Sequence, residues 1–186
     1  LRYPASFGNG PRDVFLEGDG YFEVTHDVRH PFRVHAGEAT VEDLGTAFGV
    51  HALDGDSAVR VVVAEGEVAL GSAAADAPKG TVMTRGQLGR LAHGATVASV
   101  KQVNVEAYLG WTKGRLVFDD TPLDEVMAQL GRWYAGEFRL AEPSLATRRL
   151  TGSFTSESLP EVLDILGPTL DIRFERRGDT VIAHRR

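Results

Sequence analysis

Cysteine is absent from this 186-residue chain. Its absence excludes a disulfide framework, a thiolate metal site and a cysteine nucleophile, and it leaves reducing and oxidising compartments equally open. Positive charge is in short supply: 20 Lys and Arg face 26 Asp and Glu, for a net charge of -6. A nucleic-acid binder needs a concentrated basic face to neutralise phosphates. The doublets Arg148-Arg149, Arg176-Arg177 and Arg185-Arg186 are too short to form one and read as solvated surface arginines. Long apolar runs are missing too, since VRVVVA at 59 to 64 falls far below the ~20 residues of a spanning helix. The opening LRYPASFGNG has no basic leader and no apolar core of a signal peptide. The sequence therefore reads as one entered partway through, with any targeting or membrane segment expected outside it and no direct membrane contact required of these residues. No nucleophile-elbow serine, Walker lysine loop or dinucleotide glycine fingerprint occurs, and GNGPRD at 8 to 13 has two glycines in place and then fails.

What is present from about 12 to 105 is a succession of short strands. DVFLEG, GYFEVTHD, PFRVHAG, EATVEDLG, TAFGVHAL and AVRVVVAEGEVALGS follow one another. Phe32, Val34 and Ala36 alternate with Arg33 and His35; Val59, Val61 and Val63 alternate with Arg60 and Val62. Turn signals recur at Gly18-Asp19-Gly20, Ala36-Gly37-Glu38, Asp54-Gly55-Asp56 and Glu65-Gly66-Glu67, and SAAADAPKG at 72 to 80 reads as a surface loop. This spacing predicts a β-rich sandwich or roll domain. After about 110 the pattern changes to a strand, RLVF, followed by apolar residues at helical spacing: Leu123, Val126, Met127, Leu130, Trp133 and Tyr134. A boundary is expected near 105 to 114, giving domains over 1–110 and 111–186, with Trp111 packed as an anchor.

The second region is related to itself. Shifted by 36 positions, FDDTPLDEVMAQLGRWYAGEF lies over FTSESLPEVLDILGPTLDIRF, so that Phe118 meets Phe154, Glu125 meets Glu161, Leu130 meets Leu166 and Phe138 meets Phe174. Two copies of strand, helix, strand are implied, a small α+β domain made of two βαβ-like repeats, closed by a hairpin around Arg177-Gly178-Asp179. The first copy holds Asp119, Asp120, Asp124 and Glu125 within seven positions, a density that invites metal or acid/base chemistry. Only Glu125 has an acidic counterpart in the second copy. Both copies instead share a helix opening, Thr121 before Pro122 and Ser158 before Leu159-Pro160. Thr121 is expected at the N-cap, with Asp124 at N3 and Pro122 at the first helical position. Acidic residues also favour a helix N-terminus. A calcium loop would need alternating oxygen ligands that this stretch does not supply.

Two further groups of residues bear on chemistry. His26, His30, His35 and Glu38 on a β-rich background suggest a cupin-like metal enzyme, but the histidines are four and five apart and no H-x-H occurs. Imidazoles bind a transition metal only where several nitrogens converge, so surface or turn histidines are expected, with no metal and no cofactor. The peptide bond between Gly45 and Thr46 in DLGTAFGV is different. A hydroxyl follows a glycine inside a strand-like run; under backbone strain, it could attack the preceding carbonyl and form an ester that water opens. A turn glycine followed by a β-favouring threonine is the plainer reading.

Taken in order, RDVFLEGDGYFEV (12 to 24), HPFRVHAG (30 to 37), VEDLGTAFGV (41 to 50), VRVVVAEGEVAL (59 to 70), TRGQ (84 to 87) and GRLVFDDTPLDEVMAQLGRWY (114 to 134) resemble the FecR family of bacterial sigma-factor regulators, over almost the whole chain. The resemblance implies the periplasmic region of a single-pass inner-membrane anti-sigma factor in cell-surface signalling. Its partner would be the periplasmic signalling domain of a TonB-dependent receptor that binds an iron chelate or similar ligand. A sigma factor of the extracytoplasmic-function type would be reached through a cytoplasmic region outside these residues. The second region is similar to the secretin/TonB short N-terminal domain. For such a module, strand addition at a sheet edge is a plausible docking mode, and Thr180, Val181, Ile182, Ala183 and His184 are the expected edge. The family also undergoes self-cleavage at a Gly-Thr bond in a motif like LGTAF. This implies Thr46 as nucleophile and Gly45 as carbonyl donor, a single-turnover event in a protein that is otherwise not an enzyme. Gly49 departs from the asparagine frequent in that motif. The rival readings are a β-roll metal enzyme and a component of a secretin-like assembly.

Overall fold

A computed structural model describes residues 1–53, 58–74, 79–96 and 98–186. Asp54-Gly55-Asp56, one of the expected turns, and residues 75–78 of the expected loop lie outside the described residues. The chain divides into two compact units, Leu1–Leu109 and Gly110–Arg186.

Among the described residues of the first unit ten strands follow in order: β1 (Arg12–Phe15), β2 (Gly18–Glu23), β3 (Phe32–Ala36), β4 (Ala39–Asp43), β5 (Ala47–Ala52), β6 (Ala58–Glu65), β7 (Glu67–Ser72), β8 (Thr81–Thr84), β9 (Gln87–Ala92) and β10 (Ser99–Gln102). They form two five-stranded sheets, β1-β3-β4-β7-β8 and β10-β9-β6-β5-β2. Every pairing is antiparallel except β1 with β3. Both sheets feed one core. Val34, Val41, Leu70 and Met83 enter it from the first sheet and Phe48, Val61, Val63 and Leu91 from the second. Each such apolar side chain contributes about 1.5–3 kcal/mol on burial.

One expected turn fails in this unit for a physical reason. Gly18-Asp19-Gly20 is not a turn but the start of β2; Gly20 is needed there because a Cβ would stand 2.9 Å from the Phe22 ring. Val59, Val61 and Val63 face the main core as the alternation predicts, and Val62 lies on the outer side with Arg60. A short helix, α1 (Val105–Leu109), puts Leu109 on that outer side, and Val62, Leu88 and Leu109 form a second, smaller cluster. Gly49 belongs to the same arrangement, since a Cβ at this position would lie 2.4 Å from Leu109 Cδ2. Glycine in place of a larger residue makes room for the helix.

The second unit runs β11 (Leu116–Pro122), α2 (Leu123–Tyr134), β12 (Glu137–Leu140), β13 (Arg149–Phe154), α3 (Leu159–Thr169), β14 (Ile172–Arg177) and β15 (Thr180–Arg185). Strand, helix, strand therefore occurs twice. Yet β11 pairs antiparallel with β13, while β12 and β14 flank β15 in a separate three-stranded sheet. The two strands of each copy thus lie in different sheets, and neither copy is a βαβ crossover within one sheet. Leu123, Val126, Met127 and Leu130 of α2 pack with Val162 and Leu166 of α3, Phe118, Phe154 and Ile172 in one core. Trp111, expected to pack, is 40% exposed.

The opening of α2 also differs from expectation. Pro122, not Thr121, occupies the N-cap, and no side chain caps it. Thr121 is buried in β11, where its hydroxyl accepts from the Asp119 N–H at 3.1 Å across a bulge that holds Asp120 at φ 48. Glu125, not Asp124, stands third in the helix; Asp124 Oδ1 accepts from the Glu125 N–H at 2.9 Å. Asp119 and Asp120 thus lie at a bulge, and Asp124 and Glu125 lie in the first turn of α2. In α3 the cap is complete: Glu161 accepts from the Ser158 N–H at 2.8 Å and from its hydroxyl at 2.7 Å.

Those two bonds, the hydroxyl first, hold the Glu161 carboxyl below its ordinary 4.5. A depressed acid stabilises the fold above the unfolded value and loses that contribution as pH falls through the folded value. We expect the exchange protection factor of the Val162 amide, whose N–H donates to the Ser158 carbonyl at 3.1 Å, to fall as pH drops below 4.5. Glu161→Gln should abolish that pH dependence, and an unchanged profile would refute the assignment.

Candidate functional site

The Gly45-Thr46 bond lies in the connection between β4 and β5, in the first unit. Gly45 has φ +105, a left-handed conformation that side chains rarely adopt. Thr46 is buried, and its hydroxyl donates to Oδ1 of Asp43, itself only 4% exposed. The pairing is favourable on elementary grounds, because a buried carboxylate without a hydrogen-bond donor is costly. On either side the backbone is anchored: the Leu44 N–H donates to the Glu67 carbonyl at 3.1 Å, and the Thr46 carbonyl accepts from the Val24 N–H at 2.9 Å.

Two other segments close around the bond. The β6–β7 turn brings Gly66, at φ +75, so near that a Cβ there would stand 2.2 Å from the Gly45 carbonyl oxygen and 2.8 Å from Thr46 Cγ2. From the loop after β2, His26 lies against Gly45; a Cβ on the glycine would be 3.0 Å from His26 Cβ and 3.2 Å from Nδ1. A hydroxyl adjacent to a carbonyl, hydrogen-bonded to a carboxylate, is the nucleophile-and-base arrangement of acyl transfer. Sequence reasoning singled out Gly45 and Thr46 but missed Asp43, His26 and Gly66. The spacing of Asp43 and Thr46, three apart, is a local side-chain turn signal. Nothing local connects His26 or Gly66 to the bond, because strand pairing brings them there.

His26, His30, His35 and Glu38, expected as surface or turn residues and not as metal ligands, do not converge. His30 Nδ1 is 2.8 Å from Asp27, and His35 Nε2 is 2.8 Å from Asp13. Glu38 accepts from the Gly94 N–H at 2.7 Å. Asp27 is pulled down to about 2, chiefly by the His30 hydrogen bond and then by the Arg29 N–H. Among the described residues no three of His, Asp and Glu are grouped to hold a metal ion. No described helix is long and apolar enough to cross a membrane.

The edge expected at Thr180, Val181, Ile182, Ala183 and His184 is corrected by the sheet order. These residues form β15, the middle strand, hydrogen-bonded to β12 on one side and β14 on the other. β12, parallel to β15, fills the side that the β14–β15 hairpin by itself leaves open. Their side chains are engaged as well. The Thr180 hydroxyl donates to Glu137 at 2.9 Å, Val181 and Ala183 are buried, and His184 Nε2 stands 3.3 Å from Glu175. Within this sheet the free edges are β12 and β14.

Comparison with known proteins follows the same division. Residues 2–69 match the family model described as FecR protein, and residues 115–183 match the model described as FecR, C-terminal. A crystal structure from Parabacteroides distasonis ATCC 8503, of a protein described as an anti-sigma factor, is 25% identical with a TM-score of 0.86, covering 100% of this chain and 85% of that one. A second structure of the same description and organism gives 25% identity and a TM-score of 0.84, over 99% of this chain and 84% of the other. No curated protein matches the chain. With both matched segments in order, one in each folded unit, the chain belongs to the FecR family.

Proposed function

We propose that this chain is the signal-receiving region of a transmembrane anti-sigma factor, placed in the periplasm and acting by binding rather than by turnover. The observation that carries this reading is the ordered pair of FecR matches. Likeness over the full chain to a protein described as an anti-sigma factor supports it. The partner is the periplasmic signalling domain of a TonB-dependent outer-membrane receptor. The signal then passes to an extracytoplasmic-function sigma factor through a cytoplasmic region outside these residues, in a system of the iron-uptake type. The second unit, read as a secretin/TonB short N-terminal-like module, supplies the docking surface. Its β14 edge, six residues against four in β12, gives an incoming strand the longer ladder.

Self-cleavage at Gly45-Thr46 belongs to the same proposal, as a single event that sets the mature state of the regulator. Thr46 supplies the nucleophile and Gly45 the carbonyl.

Calorimetric titration of the chain with the periplasmic signalling domains of the host's TonB-dependent receptors tests the binding reading. One-to-one association with one such domain is expected, with micromolar or tighter affinity, about -8 kcal/mol or more favourable. No binding to any of them, or ordered oligomers of the chain alone on light scattering, would turn the reading toward a structural assembly. For cleavage, intact mass during prolonged incubation should give fragments 1–45 and 46–186 from the wild type and neither from Thr46→Ala.

A further inference from the structure

We infer that Asp43 is the catalytic base of the Gly45-Thr46 cleavage, an assignment that rests on the self-cleavage reading above and adds a residue to it. Asp43 is the last residue of β4, and its backbone register is fixed opposite Val68 of β7. Its carboxylate therefore cannot drift along the strand. Oδ1 accepts from the Thr46 hydroxyl, and both residues are buried, so the proton-accepting group and the nucleophile are in hydrogen-bond contact before reaction. A different element closes on the carbonyl to be attacked: Gly66, in the β6–β7 turn, lies against the Gly45 oxygen and the Thr46 methyl.

The step balances as follows. Asp43 takes the hydroxyl proton as Thr46 Oγ1 bonds to the Gly45 carbonyl carbon. The C–N bond then breaks, and the proton held by Asp43 passes to the departing Thr46 nitrogen. An ester and a free amine result, with Asp43 again a carboxylate. Water hydrolyses the ester, leaving the Gly45 carboxylate, the Thr46 amine and the restored hydroxyl. One water is consumed and nothing is oxidised or reduced.

Asp43→Asn tests the assignment, because the amide oxygen can still accept the Thr46 hydrogen bond but takes no proton. Fragments 1–45 and 46–186 are followed by intact mass over a range of pH, with thermal melting to establish that the variant is folded. General-base loss slows such reactions by about 10²-fold or more. The expected result is a fall of that size in a folded variant. Wild-type cleavage should also slow in acid, because a protonated base accepts no proton. Other ionisable residues on the enclosing segments are His26, against Gly45, with Asp27, Arg29 and His30 on the same loop, Glu42 beside Asp43 on β4, and Glu65 and Glu67 flanking Gly66; His26→Gln should keep the acid limb. Wild-type cleavage that does not slow in acid overturns the role of Asp43, and so does a folded Asp43→Asn cleaving at the wild-type rate. If Asp43→Asn does not fold, the wild-type acid limb and its retention in His26→Gln decide. Absence of fragments from the wild type would instead remove the cleavage reading itself.

Discussion

Gly66→Ala is expected to destabilise the first unit by roughly 2–5 kcal/mol, a loss that reaches the range of severe single substitutions. Two effects combine. At φ +75 an alanine adopts the left-handed region at a cost of about 1–2 kcal/mol. Its Cβ would also meet the Gly45 oxygen at 2.2 Å, and backbone hydrogen-bonded through Leu44 and Thr46 cannot turn aside as a side-chain end would. Forced overpacking of this kind adds about 1–3 kcal/mol. Gly37→Ala is the control. It shares a positive φ of +55, but a Cβ there meets nothing within 4 Å, so only the strain of about 1–2 kcal/mol remains. Calorimetric melting should therefore separate the two alanines by several degrees, and equal shifts would show that the clash is relieved.

Val181→Pro should unfold the second unit. Proline removes a backbone donor and is tolerated in sheets only at edges or bulges. Here the strand is flanked on both sides, Val181 pairing with Phe138 of β12 and with Arg176 of β14, and its side chain is 1% exposed. The loss is about 3 kcal/mol or more. Tryptophan fluorescence isolates this effect, because Trp111 and Trp133 both lie in Gly110–Arg186. The urea midpoint by fluorescence should fall sharply or the transition should vanish. A variant with the wild-type midpoint would contradict the central placement of β15. An edge strand would have tolerated the same proline, and the difference follows wholly from strand order.

The helix openings illustrate how far local signals reach. Ser158 and Glu161 form their cap within four residues of chain, and the sequence pattern identifies the start of α3 correctly. Thr121 also offers a hydroxyl, with a proline directly after it, but it is drawn into β11 opposite Leu150 of β13. Pairing with a distant strand outweighs a local cap. His30 and His35 likewise looked like candidates for one site, and each has its own carboxylate partner on a different segment.

By itself the sequence determined the alternation that makes strands in the first unit, the helical spacing of Leu123, Val126, Met127 and Leu130, and the ordered segments by which the FecR family is identified. It also singled out Gly45 and Thr46, since a glycine before a hydroxyl is a local property. Tertiary structure alone decided which strands neighbour one another, and with that three things. β15 became a centre rather than an edge, β11 and β12 went to separate sheets, and Gly66 and His26 came to enclose a bond remote from them in sequence. The physical reason is common to all three. Periodicity records which face a residue turns to the core, whereas strand order is set by pairings between segments far apart, whose hydrogen bonds leave no trace in local composition.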